Sequence, residues 1–489
     1  MAKLRLARLG RIVVLLVAAV LATFFGVRIY DSLRGPPLER WHTFVPTELT
    51  IDQIDATDWA GYLKAEDRIF EDVRREVVQK LPPWDEVPEN RYFKDSPIYP
   101  GRFRQDWNRS YELQPSGTPV GAVVLLHGLT DTPYSLRHIA QHYRDRGFVA
   151  VGIRLPGHGT VPAALTDVEW QAWMAATRLA VREAVRAAGP SRPLHIVGFS
   201  NGGALALKYV LDSFDDPTLR RPDRLVLISP MIGITAFARF AGLAAWPAVF
   251  PPFVKAAWLS ILPEFNPFKY NSFPVNGAVQ SCRLTRVLQG ELAANARRGR
   301  LRELPPILTF QSVVDFTVST RAIIRSLYGQ LPDGGHELVL FDINRSARFG
   351  PLLGATSDTA LARLLPPAPR SYRATVISNV GAGAAEVGEY RTDAGSGRKQ
   401  ARSLGLIYPS DNYSLSHVAL PFPPDDALYG AHPDTREDFG INLGALAPRG
   451  EAGVLIVALD SLLRVSSNPF YSYVIQRIDE AIDKSLAPS

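Results

Sequence analysis

A serine in a glycine-rich turn is the strongest chemical signal in this chain of 489 residues. The turn is Gly198-Phe199-Ser200-Asn201-Gly202, a G-x-S-x-G match that follows the apolar run 194–197 and precedes a predicted helix. Such a strand–turn–helix holds the Ser200 hydroxyl out at a strand end, and the small residues around it let strand and helix approach closely. The N–H of Asn201 then lies at a helix N-terminus, where it can stabilise an oxyanion. The motif predicts a nucleophilic serine; a glycine-rich turn with a solvent-facing serine is the alternative.

The elements that must position Ser200 are an alternating series of strands and helices that begins near residue 107. Strands are predicted over 110–114, 121–126, 148–154, 194–197 and 225–229, and helices over 136–146, 168–188 and 201–214. Strands that are mostly apolar throughout and separated by helices are typical of a parallel sheet covered on both faces. The predicted fold class is therefore α/β.

Two loops are predicted to lie beside Ser200 at the carboxyl edge of this sheet. His127-Gly128-Leu129-Thr130-Asp131 follows the strand 121–126, and its turn can supply a second oxyanion N–H, from Leu129. His127 is interpreted as a structural residue that fixes this loop. Pro156-Gly157-His158-Gly159-Thr160 follows the next strand and is interpreted as a tight turn that shapes the site.

These three motifs, in this order, resemble the α/β-hydrolase superfamily, in its branch of monoacylglycerol-lipase-like and bacterial carboxylesterase proteins. The resemblance covers roughly residues 110–330 and again 404–425. It implies an α/β-hydrolase fold with a mostly parallel sheet, helices on both faces and a cap. Asn201 differs from the Met or Gln that is commoner after the serine, but the chemistry uses only its backbone N–H.

The resemblance also implies an acid and then a histidine downstream of the serine, because that is the order in this fold. The predicted acid is Asp315, which follows the strand-like run 305–314 and precedes Val318 by three residues, as in the family. Asp342, which closes the run 338–341, is the reserve candidate.

The predicted base is His417, in a loop after the apolar run 404–408 and in a Ser-His pair that also resembles the family. His336 precedes a strand, so it would emerge at the wrong end of the sheet. His432, in an Ala-His-Pro sequence, is interpreted as a loop residue.

Two segments depart from a minimal hydrolase. Residues 231–304 form the predicted cap, in which Cys282 is interpreted as structural, and 344–402 form a predicted edge insertion with a strand over 374–378. Some of the cap's aromatic residues are expected to line an apolar acyl pocket, although no substrate-binding residue is assigned. These aromatic residues are Phe237, Phe240, Trp246, Phe250, Phe253, Trp258, Phe265, Phe268, Tyr270 and Phe273.

Composition excludes several other classes of protein. Of the formal net charge of +6, four units come from Lys3, Arg5, Arg8 and Arg11, so nothing suggests nucleic acid as a partner. A single cysteine excludes an intrachain disulfide and a cysteine-cluster metal site. The nine histidines form no H-E-x-x-H motif, so no metal is predicted, and the expected chemistry requires no cofactor.

The N-terminal region is predicted to anchor the protein. Residues 12–27 carry no charge and follow a basic tip, so 1–30 are interpreted as an uncleaved, single-pass inner-membrane anchor with the catalytic domain on the extracytoplasmic side. A signal peptide cleaved after Val20-Leu21-Ala22, giving a secreted or periplasmic protein, is the alternative. Residues 31–106 are predicted to be a tether, an amphipathic helix over 51–81 and a connector, and 107–489 the catalytic domain.

Together these features predict a serine hydrolase of carboxylic esters with apolar acyl groups, whose substrate is a small-molecule or lipid ester. His417 would deprotonate Ser200, Asp315 would orient His417, and the N–H groups of Asn201 and Leu129 would hold the oxyanion. A peptidase or an acyltransferase of the same fold, and a catalytically silent binding module of the cell envelope, are the alternatives. The sequence makes no prediction about oligomeric state.

Overall fold

From Tyr111 onward, the chain is built around a ten-stranded sheet. The computed structural model describes residues 2–233, 251–346, 361, 364–381, 383–446 and 462–487. The strand order is β1-β3-β2-β4-β5-β8-β9-β10-β11-β12, and β6 and β7 form a separate hairpin. The strands are β1 Tyr111–Leu113, β2 Gly121–Leu126, β3 Phe148–Gly152, β4 Leu194–Phe199, β5 Arg224–Ile228, β6 Trp258–Ser260, β7 Phe273–Pro274, β8 Ile307–Ser312, β9 Glu337–Phe341, β10 Arg373–Asn379, β11 Glu386–Thr392 and β12 Lys399–Ile407.

The centre of this sheet is parallel. The strands from β3 through β2, β4, β5, β8 and β9 to β10 are parallel to their neighbours, whereas β1, β11 and β12 join by antiparallel pairing. Every residue of β2, β3, β4, β8 and β9 is buried, because layers of helix cover both faces of the sheet. The predicted α/β-hydrolase fold with a mostly parallel sheet is confirmed.

The helices divide between the two faces. Apolar residues of α3, α4, α6, α7 and α8 share one core cluster, and those of α5 and α10 share the other. The helices are α1 Ala2–Arg34, α2 Arg40–Thr43, α3 Ile51–Ala56, α4 Trp59–Glu76, α5 Arg137–Asp145, α6 Trp170–Ala188, α7 Asn201–Asp212, α8 Val275–Arg297, α9 Thr320–Ala322 and α10 Tyr471–Leu486.

The segment predicted as one helix over 51–81 is two α-helices and a short 3-10 turn. Asp58 interrupts it, because the Asp58 carboxylate accepts a hydrogen bond from the N–H of Gly61 (2.8 Å) and so caps the start of α4. The apolar face of α4 packs on the sheet domain, where the hydroxyl of Tyr62 donates to the carbonyl oxygen of Arg154 (2.7 Å). Residues of this N-terminal segment therefore share a core with the sheet.

The predicted insertion 344–402 extends the sheet at one edge. It contains β10, β11 and the start of β12. Strand β10 corresponds to the predicted strand 374–378 and is one residue longer at each end. Because β11 is antiparallel to both of its neighbours, β12 runs in the same direction as β10. The carboxyl end of β12 therefore points to the same sheet edge as Ser200. Residues 347–360 and 362–363 of this insertion lie outside the described residues.

Helix α1 contains the predicted anchor. Its side chains Val14, Leu15 and Leu16 are more than half exposed. Over the residues that the structure describes, none of the helices combines the length and the apolar character that crossing a bilayer requires. The predicted anchor is therefore not confirmed.

Candidate active site

Ser200 lies in the turn between β4 and α7 with a backbone conformation that non-glycine residues seldom adopt. Its φ is 54° and its ψ is −114°. The N–H of Ser200 donates to the carbonyl oxygen of Ile228 (3.0 Å), and its own carbonyl accepts from the N–H of Met231 (2.9 Å). These contacts with β5 and the residues after it stabilise a turn that would otherwise be unfavourable. The turn holds Ser200 at the carboxyl end of β4.

Glycines flank Ser200 because the backbone there is in direct contact with its surroundings. A Cβ on Gly202 would lie 1.9 Å from the carbonyl oxygen of Leu126 at the end of β2. A Cβ on Gly198 would lie 2.5 Å from the carbonyl oxygen of Gly202. The small residues of the motif are therefore required by close packing of β4, α7 and β2.

Asp315 and His417 form a buried pair. His417 Nδ1 lies 2.9 Å from Asp315 Oδ2, and the two side chains are 7% and 0% exposed. Asp315 Oδ1 accepts the N–H groups of Thr317 (2.7 Å) and Val318 (3.0 Å). Burial alone would raise the pKa of Asp315, but the charge of His417 and these hydrogen bonds hold it below its ordinary value. A charged Asp315 accepts a hydrogen bond from Nδ1–H, which leaves Nε2 of His417 as the available acceptor.

Ser200 and His417 line the same small cavity. Its volume is about 30 Å³, and Ser200 is 5% exposed. The ring of Phe199 packs on that of His417 with centroids 5.2 Å apart. The other residues around the cavity are Gly128, Leu129, Asp131, Lys269, Val418, Phe422 and Tyr429. The structure thus brings the three predicted triad residues to one place.

Of the two predicted oxyanion residues, Leu129 lines this cavity and Asn201 directly follows Ser200 in the chain. Asn201 is the first residue of α7, so its N–H has no carbonyl acceptor within the helix. Its side-chain oxygen accepts a hydrogen bond from the hydroxyl of Ser281 in α8 (2.9 Å). Leu129 lines the cavity in the turn after β2, where Thr130 has a positive φ of 62°.

The reserve candidates lie away from His417 and Ser200. The Asp342 carboxylate accepts from the N–H of Ile343 (2.9 Å) and from the hydroxyl of Ser378 (3.0 Å). His336 lies at the amino end of β9, where burial lowers its pKa to about 4, and His432 is exposed. The placement of His336 agrees with the expectation that it emerges at the opposite edge of the sheet.

His127 is buried and holds two loops together. Its Nδ1 lies 2.9 Å from the carbonyl oxygen of Gly128, and its Nε2 accepts the N–H of Leu155 (3.1 Å). Both contacts are satisfied only by a neutral ring protonated at Nδ1, and burial lowers the pKa of His127 well below its ordinary value. The His158 ring packs against it at 5.0 Å. Through these contacts His127 holds the loop after β2 against the loop after β3, which is a structural role.

Sequence reasoning missed two charged groups in the cavity. Lys269 is half-buried and donates from Nζ to the hydroxyl of Thr130 (3.1 Å). Burial lowers the pKa of Lys269 while the charge of Asp131 opposes that shift; burial raises the pKa of Asp131 while Lys269 opposes it. Lys269 sits between two aromatic residues in the sequence, and no local pattern distinguishes it from a surface lysine.

The expectation that cap aromatics line an acyl pocket is not confirmed for those whose side chains the structure describes, since none of them lines the cavity beside Ser200. Phe268 stacks on Tyr134 with ring centroids 4.1 Å apart, and the Tyr270 hydroxyl donates to the carbonyl oxygen of Gly157 (3.1 Å). These rings fill the core between cap and sheet, whereas Phe199, Phe422 and Tyr429 provide the cavity's aromatic walls. Phe237, Phe240, Trp246 and Phe250 lie outside the described residues.

The sheet order and the serine turn between β4 and α7 define an α/β-hydrolase fold of the serine-hydrolase kind. Residues 117–340 of the chain match the family model Hydrolase_4, described as serine aminopeptidase, S33. The chain is similar to a thermostable monoacylglycerol lipase of Bacillus sp. (strain H-257), with 33% identity over 89 residues. That match covers 18% of this chain and 34% of the lipase, so the chain spans about a third of the length of this curated relative.

Two of the similar solved structures are those of lipolytic enzymes. One is reported for the metagenome-derived enzymes LipS and LipT, with 20% identity, a TM-score of 0.39, and coverage of 53% of this chain and 97% of that one. Another is a monoacylglycerol lipase of Paleococcus ferrophilus, with 16% identity, a TM-score of 0.36, and coverage of 52% and 96%. The fold assignment rests on the sheet topology and the family model.

Proposed function

We propose that this chain hydrolyses carboxylic esters through Ser200, His417 and Asp315. The observation that carries the proposal is the 2.9 Å contact between His417 Nδ1 and the buried Asp315 carboxylate, in a cavity that His417 shares with Ser200. A histidine oriented in this way takes the serine proton as Oγ attacks the ester carbonyl carbon.

The reaction proceeds in two steps that use only groups of this chain and water. The N–H groups of Asn201 and Leu129 donate to the tetrahedral oxyanion, and His417 returns its proton to the leaving alcohol. Water, deprotonated by His417, then attacks the acyl-enzyme carbonyl. The bond between the acyl carbon and Ser200 Oγ breaks, His417 returns the proton to Oγ, and the acid is released. The charge of Asp315 stabilises the imidazolium form of His417 in both steps.

The positive charge of Lys269 in the cavity favours an ester as the substrate over a peptide with a free amino terminus. An aminopeptidase, the activity in the family model's description, needs a carboxylate for the ammonium group of its substrate. Asp131 is the carboxylate nearest to that role, but Lys269 lines the same cavity and would repel an ammonium group. The three acids of the segment 231–304 are engaged elsewhere: Glu264 accepts the N–H of Ser272 (2.8 Å), Glu291 pairs with Lys208 (3.1 Å), and Glu303 pairs with Arg300 (3.0 Å).

The acyl group is proposed to be apolar because Phe422, Val418 and Leu129 line the cavity together with its charged groups. At about 30 Å³ the cavity holds roughly one water molecule, so surrounding side chains must move when an ester enters. A monoacylglycerol or another lipid ester is consistent with the Bacillus relative named above.

Covalent labelling by a fluorophosphonate probe tests the proposal. The wild-type protein should be labelled and should hydrolyse p-nitrophenyl esters faster than alanine p-nitroanilide. Ser200→Ala should lose the label and about 10⁴- to 10⁶-fold in kcat. Ser229→Ala is the matched control, because Ser229 is buried at the end of β5 and its hydroxyl has no hydrogen-bond partner among the described residues. A folded wild type that stays unlabelled with and without detergent, or that prefers the anilide, would contradict the proposal.

We further propose that α1 binds a bilayer and keeps the catalytic domain on the extracytoplasmic side of the inner membrane. Support comes from the uncharged residues 12–27 behind a basic tip and from the exposed apolar side chains of α1. The full chain should sediment with membranes and need detergent for release, whereas a chain beginning at Arg34 should not. A full chain that stays in the supernatant, or that is cut after Ala22, would contradict an uncleaved anchor.

A further inference from the structure

A second cavity lies at the amino ends of four parallel strands, at the sheet edge opposite to Ser200. Its volume is about 110 Å³, and the last turns of α10 form one wall. Its lining includes Arg224, Ile307, Glu337 and Arg373, which begin β5, β8, β9 and β10. None of its lining residues belongs to the serine site.

The charges around this cavity do not cancel. Four cationic side chains, Arg224, Arg373, Arg477 and Lys484, face two carboxylates, Glu337 and Glu480. Both carboxylates are already paired: Glu337 contacts Arg373 and Arg477, and Glu480 contacts Arg477. Arg373 has a further partner outside the cavity lining in Asp393 (2.8 Å).

Arg224 and Lys484 are the two cationic residues of the cavity lining that pair with no carboxylate that the structure describes. Within the described part of the chain, neither forms an ion pair or a side-chain hydrogen bond. The Nε atoms of Arg224 and Arg477 are buried without a hydrogen-bond partner there, and Arg477 is only 5% exposed. An unsatisfied donor in a buried guanidinium is costly, so these groups are arranged for an acceptor that the chain itself does not supply.

The electrostatics of the cavity point the same way. Burial lowers the pKa of Arg224, although Tyr143 and the charge of Glu337 oppose that shift. Burial, together with the charges of Arg373, Arg224 and Arg477, lowers the pKa of Lys484, although Lys484 stands exposed at the mouth. His336 also lines the cavity, but burial lowers its pKa to about 4, so it adds no charge at neutral pH. The cations repel one another, and an anion between them would relieve that repulsion.

We propose that this cavity binds one phosphate-type oxyanion, held by Arg224, Arg477 and Lys484. The planar guanidinium group of Arg224 can donate a pair of hydrogen bonds that matches a tetrahedral oxyanion. Arg477 offers the Nε–H that is unsatisfied within the described residues, since its two terminal nitrogens already contact Glu337 and Glu480, and Lys484 adds a mobile charge at the mouth. The volume gives room for such an ion with accompanying water. The ion is either free phosphate or the phosphoryl group of a larger molecule, since the chemistry that recognises the two is the same.

Calorimetric titration and thermal melting of the full chain with inorganic phosphate, at constant ionic strength, test this proposal. The melting temperature of the wild type should rise with phosphate concentration. Arg224→Gln and Lys484→Gln should each weaken binding by about tenfold or more, since each removes a charge-assisted hydrogen bond. Arg436→Gln is the control, because the Arg436 side chain is 86% exposed and lies outside the cavity lining.

The outcomes separate a site from general salt stabilisation. Phosphate stabilises many proteins weakly by exclusion from their surface, and that effect would be equal in wild type and all variants. Equal responses, or no binding to the wild type, would overturn the proposal. In phosphate-free buffer, the melting temperature of Lys484→Gln should be no lower than that of wild type, because the substitution relieves repulsion among the cations. This measurement also checks that the variant folds.

Two further measurements identify the ion and separate this proposal from the serine chemistry. Tighter binding of glycerol 3-phosphate than of phosphate would identify a phosphate monoester as the occupant, and equal or weaker binding would identify the free ion. Ser200→Ala should bind phosphate with the same affinity as wild type, because the two sites share no residue. The phosphate test therefore remains valid even if the hydrolase proposal fails.

Discussion

At the residue scale, the triad positions have local sequence signals that their neighbours lack. Ser200 lies in a turn that demands glycines, and Asp315 follows the buried strand β8 by three residues, so both were predictable from short windows. Lys269, Phe422 and Tyr429 reach the cavity only through packing between segments far apart in the chain. Short-range patterns do not encode such contacts, which is why these residues were missed.

The acid assignment makes a prediction at this scale. Asp315→Asn should keep the fold but lower kcat by about 10⁴-fold, because an amide cannot stabilise the imidazolium and favours the wrong tautomer of His417. Asp342→Asn, which changes the reserve candidate for the acid, should leave kcat close to wild type. Steady-state kinetics on a p-nitrophenyl ester measures both. A normal rate for Asp315→Asn together with a large loss for Asp342→Asn would reverse the assignment.

At the element scale, the buried parallel strands were predictable because they are apolar throughout, and the exposed edge was not. Strand β2 has the predicted bounds, and every residue of it is buried. Strand β12 is polar and mostly exposed, and only its last residues form an apolar run. An edge strand without a buried face leaves little periodicity to detect, and a single aspartate, Asp58, sufficed to divide the predicted helix 51–81.

The contact between α7 and β2 supports a prediction about the serine turn. Gly202→Ala should destabilise the protein by about 1–3 kcal/mol and reduce fluorophosphonate labelling, because the new Cβ would collide with the carbonyl of Leu126. Gly290→Ala in α8 is the matched control: a Cβ there meets nothing within 4 Å. That change should stabilise by up to about 1 kcal/mol through helix propensity. Urea unfolding and labelling rates measure both; equal effects of the two changes would show that the turn is not tightly packed.

At the scale of the whole molecule, a buried charge joins the C-terminal region to the first half of the sheet domain. Asp426 accepts from the guanidinium of Arg137 in α5 (2.6 Å) and contacts His138 Nε2 (2.9 Å) and the hydroxyl of Tyr134 (2.9 Å). Arg137 and Asp426 have no exposed side-chain surface. The loop after His417, which supplies Phe422 and Tyr429 to the cavity, is thus fixed by contacts almost 300 residues away in sequence.

Breaking this pair should destabilise the protein in a pH-dependent way. Asp426→Asn leaves the buried charge of Arg137 without its aspartate partner, so the free energy of unfolding at pH 7 should fall by about 3–5 kcal/mol. Burial opposes ionisation of Asp426, but Arg137 and then His138 hold its pKa well below the ordinary value. A lowered folded-state pKa contributes stability that is complete above the unfolded-state pKa of about 3.9 and is lost as the pH falls towards the folded-state value.

The part of the difference between wild type and Asp426→Asn that comes from the Asp426 charge should therefore be complete above about pH 5 and shrink as the pH falls below about 4. Urea unfolding across this range measures it. Asp434→Asn is the matched control, since Asp434 pairs with the exposed Arg436 at the surface and its loss should change stability little at any pH. A difference that grows as the pH falls below about 4 would mean that Asp426 is neutral in the folded protein, and this ion pair would then not hold the C-terminal region.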